Sequence, residues 1–290
     1  MEKTNSAICS ICKQKDTSLL YRKNDYSIAK CHSCDLQFRV PQASHEELRQ
    51  IYTDYYHPWK LEKEVEEVIK KTKTEAFEKR LQEIQNYVNR GKILDVGCAT
   101  GFFLEKAKSK GFEPYGVELS ESFFKEAHHK FGDRISWGTM EDIPFENNFF
   151  DVITMFDLLE HVKDPTITLR RCRTILTPNG IIAAVLPDTS SLTAKLMRKN
   201  WIHYKKEHLF YFSKKNISAL LKQESFDVIK IVPAIKVISL KHLYYHQFKY
   251  HPNHPITLTL SILLRILPQA MKKMSIRIKL GEMFVLARKI

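Results

Sequence analysis

Residues 93–104 read ILDVGCATGFFL. Ile93, Leu94 and Val96 form a short apolar run suited to a strand buried on both faces of a parallel sheet. After Asp95 come Gly97, Cys98, Ala99, Thr100 and Gly101, which read as a turn. Phe102, Phe103, Leu104 and Ala107 then fall at spacings that put an apolar stripe on a helix. Strand, glycine turn, helix is an arrangement that binds nucleotides, because glycines let the backbone approach a ligand and a helix start offers unpaired N–H groups.

A dinucleotide would ask for GxGxxG, so that a pyrophosphate can sit on the helix N-terminus. With Gly97 first, the later positions are Ala99 and Phe102, which weakens the pyrophosphate reading. EPYGVEL at 113–119 reads as the next strand and ends in Glu118, seventeen residues after Gly101. A carboxylate there can accept both hydroxyls of a ribose. An adenosine compound without phosphates meets both observations.

DVGCATG, the strand-ending Glu118, GTMEDIPF at 138–145, FDVITMFDLLEHV at 150–162 and LTPNGIIAAVLP at 176–187 together resemble class I S-adenosylmethionine-dependent methyltransferases. The likeness is to the branch that includes ubiquinone O-methyltransferases and bacterial small-molecule and sugar methyltransferases, and it covers roughly residues 60–232 before resuming at the C-terminal strand. It implies that Asp95 and the backbone of Gly97, Cys98, Ala99 and Gly101 hold the amino acid end of S-adenosylmethionine. Glu118 would take the ribose diol, Leu119 would lie beside the adenine, Met140 and Glu141 would flank that ring, and Phe156 would line the pocket near the sulfonium. One departure is Ala99, where the family commonly has glycine; alanine resists positive φ, so the turn is expected to keep φ negative there.

The chain has 290 residues, 43% hydrophobic and 27% charged, which is an ordinary globular composition. Residues 1–194 carry 27 Lys and Arg against 29 Asp and Glu, whereas residues 195–290 carry 19 against 4. The excess positive charge is therefore confined to the last third, where it can be a solvated surface or meet an anionic substrate, a membrane surface or RNA. MEKTNSAIC lacks the features of a signal peptide, and ITLTLSILLRIL at 256–267 is about half a membrane span, so a cytoplasmic and membrane-peripheral location is expected.

Cys9 and Cys12, then Cys31 and Cys34, form two CxxC pairs separated by eighteen residues. That spacing suits tetrahedral zinc in a zinc ribbon whose four thiolates complete the shell, which makes the ion structural. His32 and the remaining Cys98 and Cys172 are left outside that shell.

The expected architecture is α/β: a doubly wound, Rossmann-like sheet of seven strands with a small N-terminal zinc ribbon and a helical C-terminal insertion. The divisions are a ribbon over 1–40, a helical connector over 41–90, a cofactor-binding core over 91–232, an insertion or cap over 233–282 and a final strand over 283–290. Strands are predicted near 92–96, 114–118, 134–138, 151–155, 180–186, 228–232 and 283–288. Val65, Val68, Ile69, Thr72, Ala76, Leu81, Ile84 and Val88 predict one amphipathic helix that docks on the core and ends near Gly91. A second helix is predicted over 213–226 with Ser213 as its cap.

Methyl transfer from a sulfonium relies on positioning, and a base is needed only where the accepting atom must lose a proton. The candidates are His161, in DLLEHV at the carboxyl end of the fourth strand, and His208, in KKEHLFYFS. Asp157, Glu160 and His161 are similar to the metal signature of ubiquinone O-methyltransferases, implying Mg2+ beside the acceptor hydroxyl. The acceptor is read as a small molecule or saccharide, including lipid-linked or phosphorylated ones. RNA methylation and a cofactor-binding regulatory protein without catalysis are the alternatives. RNA is less favoured, since the chain lacks an NPPY-like motif and a basic-aromatic platform.

Overall fold

The structure is a computed structural model that describes residues 7–23, 25–44, 46–47, 63–239, 255–268 and 275–290. Its centre is a seven-stranded sheet in the order β10 (Phe226–Pro233), β13 (Glu282–Lys289), β8 (Leu176–Pro187), β7 (Phe150–Phe156), β4 (Gly91–Val96), β5 (Phe112–Glu118) and β6 (Ile135–Trp137). β4 to β8 run parallel, and β13 is antiparallel to both β8 and β10. Every strand expected for this sheet is in it.

The central strands are apolar in consecutive positions because both faces are covered. On one face Ile93, Val152, Ile181, Ala183 and Val185 meet Leu81 and Ile84 of the helix Lys63–Gln85, Phe103, Leu104 and Ala107 of Phe102–Ser109, and Ala127 of Glu121–Phe131. On the other face Leu94, Val96, Ile153, Met155, Ile182 and Ala184 meet the helices Pro165–Ile175 and Lys214–Gln223. The first long helix ends at Gln85, earlier than its apolar spacing suggests, and its side chains before Lys73 lie outside the described residues. Ser213 caps the 214–223 helix in a reciprocal pair with Asn216, a device that contributes about 1 kcal/mol.

The N-terminal segment forms β1 (Thr17–Arg22), β2 (Ser27–Cys31) and β3 (Gln37–Val40), and its sheet is completed by β9 (Phe210–Tyr211), which pairs antiparallel with β3. Cys9, Ala29, Cys31, Leu36 and Phe38 share the apolar core of the adjoining sheet face. The segment is therefore seated on the enzyme-like body through a strand that comes from far along the chain.

The C-terminal insertion contains a helix, as expected, and also a strand pair that was not. β11 (Lys236–Ser239) and β12 (Ser275–Ile278) pair antiparallel and bracket the helix Pro255–Ile266. The β-branched residues in KVIS and SIRI suit extended backbone, and Arg277 on β12 makes an ion pair with Glu75 of the long helix. Lys272 and Lys273 lie outside the described residues.

Candidate active site

At the carboxyl edge of the parallel strands, Gly97 and Gly101 have φ of 78° and 77°. Ala99 also lies in the left-handed region, at φ 46°, which overturns the expectation of negative φ there. The cost to a Cβ-bearing residue is about 1–2 kcal/mol. It is offset by a bond the linear sequence conceals, since the Ala99 N–H donates to Glu118 Oε2 at 2.8 Å. The N–H groups of Gly97 and Cys98 donate to the Val117 carbonyl, so the first half of the turn is stitched to the neighbouring strand. A Cβ on Gly116 would come within 2.6 Å of Cys98 Sγ, so the thiol packs against β5 where a glycine makes room.

Glu118 is almost wholly buried, and its second oxygen accepts from the Ser120 N–H at 2.7 Å. Desolvation raises its pKa. Asp95, also buried, accepts from Thr154 Oγ1 at 2.6 Å across the β4–β7 register. Burial pushes its carboxyl up to about 7, and the Glu118 charge adds to that while the Thr154 bond opposes it. Two carboxylates are thus held close together, with the nearby Arg80 charge drawing the Asp95 pKa down only in part, beside a helix start that has no side-chain cap.

The sequence pattern gave no warning of Arg80. It sits on the long helix with its guanidinium 4.7 Å from the Phe156 ring centroid and 5.6 Å from that of Phe77. Among the described residues no acceptor lies within hydrogen-bond reach of it. Its only signal was a cation three residues from Phe77 and next to Leu81, on a face that is otherwise apolar. Phe156 itself packs on Phe77, Phe103 and Phe284. Leu119 is exposed, and its carbonyl accepts from Trp137 Nε1 at 3.0 Å. Met140 is buried in the core, while Glu141 accepts from Thr168 Oγ1 at 2.6 Å.

Beyond β7 the segment 157–162 is a loop in which Asp157 takes φ 56°. His161 and His208, 47 positions apart in sequence, meet edge to face with ring centroids at 4.7 Å. The ligand atoms of Glu160, His161 and His208 lie within 4.8 Å of one another. Among the described residues Glu160 Oε2 and His208 Nδ1 are buried without a hydrogen-bond partner. Burial lowers the His161 pKa to about 4 and drives those of His203 and His208 well below the ordinary range, while it raises that of Glu160. His203 Nε2 is paired with the Leu280 carbonyl at 3.1 Å, and Lys236 makes an ion pair with the buried Glu282.

This grouping bears on the metal expected at Asp157, Glu160 and His161. The converging set contains His208 and excludes Asp157, so it offers two imidazoles and one carboxylate. Mg2+ demands oxygen ligands in octahedral geometry, and this donor set does not fit it.

In the N-terminal segment Cys9 Sγ lies 3.7 Å from Cys34 Sγ, and Cys12 Sγ lies 3.5 Å from Cys31 Sγ. All four sulfurs fall within 4.8 Å of one another. A tetrahedron of sulfurs about 2.3 Å from a central ion has edges of about 3.8 Å, so the spacing fits one shared metal. His32 instead bonds Ser18 Oγ through Nε2 at 2.9 Å.

A methyltransferase-domain family model matches residues 61–231. The ubiquinone biosynthesis O-methyltransferase of Chromobacterium violaceum is 35% identical over 95 residues, covering 31% of this chain and 41% of that protein. The demethylmenaquinone methyltransferase of Staphylococcus saprophyticus is 30% identical over 146 residues, covering 48% and 62%. The first curated relatives are matched over only 40% to 55% of their own length. The solved 1,6-didemethyltoxoflavin-N1-methyltransferase of Burkholderia thailandensis superposes with a TM-score of 0.54 over 93% of this chain and 97% of that one. At 15% identity, that is a likeness of fold.

Proposed function

The chain belongs to the methyltransferase-domain family, and on that premise we propose that it transfers a methyl group from S-adenosylmethionine to a small-molecule or saccharide acceptor. The observation that carries this reading is the Glu118 carboxylate hydrogen-bonded to the glycine turn, on the edge of the sheet that also bears the half-buried His161 packed on the buried His208. Asp95 and the turn would hold the amino acid end of the cofactor, Glu118 the ribose diol and Leu119 the adenine. Arg80, with no acceptor of its own among the described residues, is suited to the cofactor carboxylate. When bound, the cofactor supplies an electrophilic methyl on a sulfonium with a neutral leaving group.

The chain's contribution is orientation and proton handling. His161 Nδ1 faces the Glu207 carbonyl at 3.1 Å. A carbonyl can only accept, so that contact makes Nδ1–H the donor and leaves Nε2 with its lone pair. A depressed pKa keeps this imidazole neutral at pH 7. Such a group can take the proton that an acceptor hydroxyl sheds as the methyl arrives, and the charges of Glu207 and Asp157 nearby favour the imidazolium formed. His208 is the second candidate base. Histidines, Glu207, Lys205 and Lys236 around this edge suit an acceptor rich in hydroxyls. The relatives are named for small-molecule methylation, and Lys236 and Arg277 are already in ion pairs, so RNA gains no support.

Zinc on Cys9, Cys12, Cys31 and Cys34 is part of the proposal, in a structural role. So is contact with an anionic membrane surface, since Leu258, Ile262 and Ile266 are all exposed along the 255–266 helix within the basic last third. Among the described residues no helix is long and apolar enough to cross a membrane. The central test is calorimetry with S-adenosylhomocysteine, followed by labelled methyl transfer to a panel of nucleotide sugars, phenols and quinols. Binding of NADH with none of S-adenosylhomocysteine would overturn the reading.

A further inference from the structure

His208 is carried by residues 203–211, a stretch gripped from two sides. From the core, the Glu160 carbonyl accepts from the N–H groups of Leu209 at 2.8 Å and Phe210 at 3.2 Å, and His161 holds the Glu207 carbonyl. From the cysteine-bearing segment, Arg39 contributes two bonds to this stretch and one to Glu47. Its backbone N–H donates to the Leu209 carbonyl at 2.9 Å, Nη1 donates to the Lys206 carbonyl at 2.9 Å, and Nη2 pairs with Glu47 at 2.5 Å. Tyr26 Oη donates to the Tyr204 carbonyl at 2.9 Å, and Tyr204 Oη donates to Gln37 Oε1 at 2.6 Å.

Arg39 is 2% exposed, and a buried guanidinium is costly unless its donors are matched. Here two of its donors are spent on Lys206 and Glu47, and one of those fixes the backbone two residues before His208. β3 starts three residues after Cys34, so the geometry of the four sulfurs sets where β3, and hence Arg39, is presented. We propose that Arg39 is a positioning residue for His208, and that the cysteine-bearing segment thereby completes the acceptor side of the active site. This rests on reading His208 as an acceptor-side group. It assigns the N-terminal segment a part in the chemistry that a remote stabilising lobe would lack, while the cofactor turn at β4 stands independent of it.

The experiment compares wild type, Arg39→Ala and Arg39→Lys as full-length protein. Diethylpyrocarbonate modification of His208 is followed by peptide mass spectrometry, beside zinc content and calorimetry with S-adenosylhomocysteine. Arg39→Ala should raise the His208 modification rate by about tenfold, as expected when charge-assisted bonds to a backbone are lost, with cofactor-product affinity and zinc unchanged. Arg39→Lys keeps the cation and should fall between the two. If Arg39→Ala sheds zinc, Tyr26→Phe, which cuts only the tether to Tyr204, should still raise the rate by about threefold. A His208 rate equal to wild type in a zinc-retaining Arg39→Ala, or in Tyr26→Phe where that variant carries the test, overturns the proposal. Failure of wild type to bind S-adenosylhomocysteine would instead strike the methyltransferase reading, leaving the His208 comparison interpretable.

Discussion

Replacing Glu118 by alanine should weaken cofactor binding through two separable losses. In the structure each carboxylate oxygen already accepts one backbone N–H, from Ala99 at 2.8 Å and from Ser120 at 2.7 Å. Each oxygen keeps one further acceptor site, enough for the two ribose hydroxyls. A hydrogen bond to a charged group contributes about 1.5–3 kcal/mol, and part of that is offset because the buried carboxylate is already desolvated in the free protein. The second loss falls on the turn, where Ala99 is held in a left-handed conformation that costs about 1–2 kcal/mol and loses its tether. Together these predict a weakening of about 2–4 kcal/mol, or about 30- to 1000-fold in Kd. Glu118→Gln should also bind poorly, because its NH2 group would face one of the two backbone donors. Calorimetry with S-adenosylhomocysteine reads this directly, with circular dichroism to verify folding. A folded Glu118→Ala that binds within threefold of wild type would refute the ribose contact.

The four-cysteine cluster predicts one zinc per chain, lost in Cys31→Ser; freshly purified wild type without zinc would contradict it, since structural sites couple about 10 kcal/mol of binding to folding. Asp95, with its carboxyl pushed up to about 7, should release a proton when the cofactor ammonium arrives, about three quarters of a proton at about pH 6.5, and binding enthalpies that are the same in buffers of different ionisation heat would rule this out. His161 has a folded pKa of about 4 and an unfolded one near 6.5, so the unfolded chain binds the extra proton between them. Its contribution should therefore be present above about pH 6.5 and lost as pH falls toward 4, by up to about 1.4 kcal/mol per pH unit. Denaturant melts of His161→Gln should be flatter across that window, and an unchanged slope would count against it. The exposed stripe on the 255–266 helix predicts sedimentation with anionic vesicles at low salt, reduced in Lys272→Glu/Lys273→Glu; absence of wild type from the pellet would remove the membrane contact.

Nearly all of the sheet could be read from the chain, because parallel strands buried on both faces must be runs such as ILDV, VITM and IIAAVLP, and each is local. The glycine turn, the strand-ending Glu118 and the paired CxxC knuckles are likewise patterns within about twenty residues, where spacing alone constrains the chemistry. The strand pair in the insertion was not legible because KVIS and SIRI are short, and short runs carry little periodicity. What tertiary structure decided lies at long separations. The left-handed Ala99 depends on a carboxylate nineteen residues away, and the meeting of His161 with His208 depends on a hydrogen bond from the His161 ring to a carbonyl 46 positions away. Arg39 reaches a carbonyl 167 residues away. No local propensity encodes such encounters, because they become favourable only after the sheet has brought the segments together and excluded the water that would otherwise satisfy the same groups.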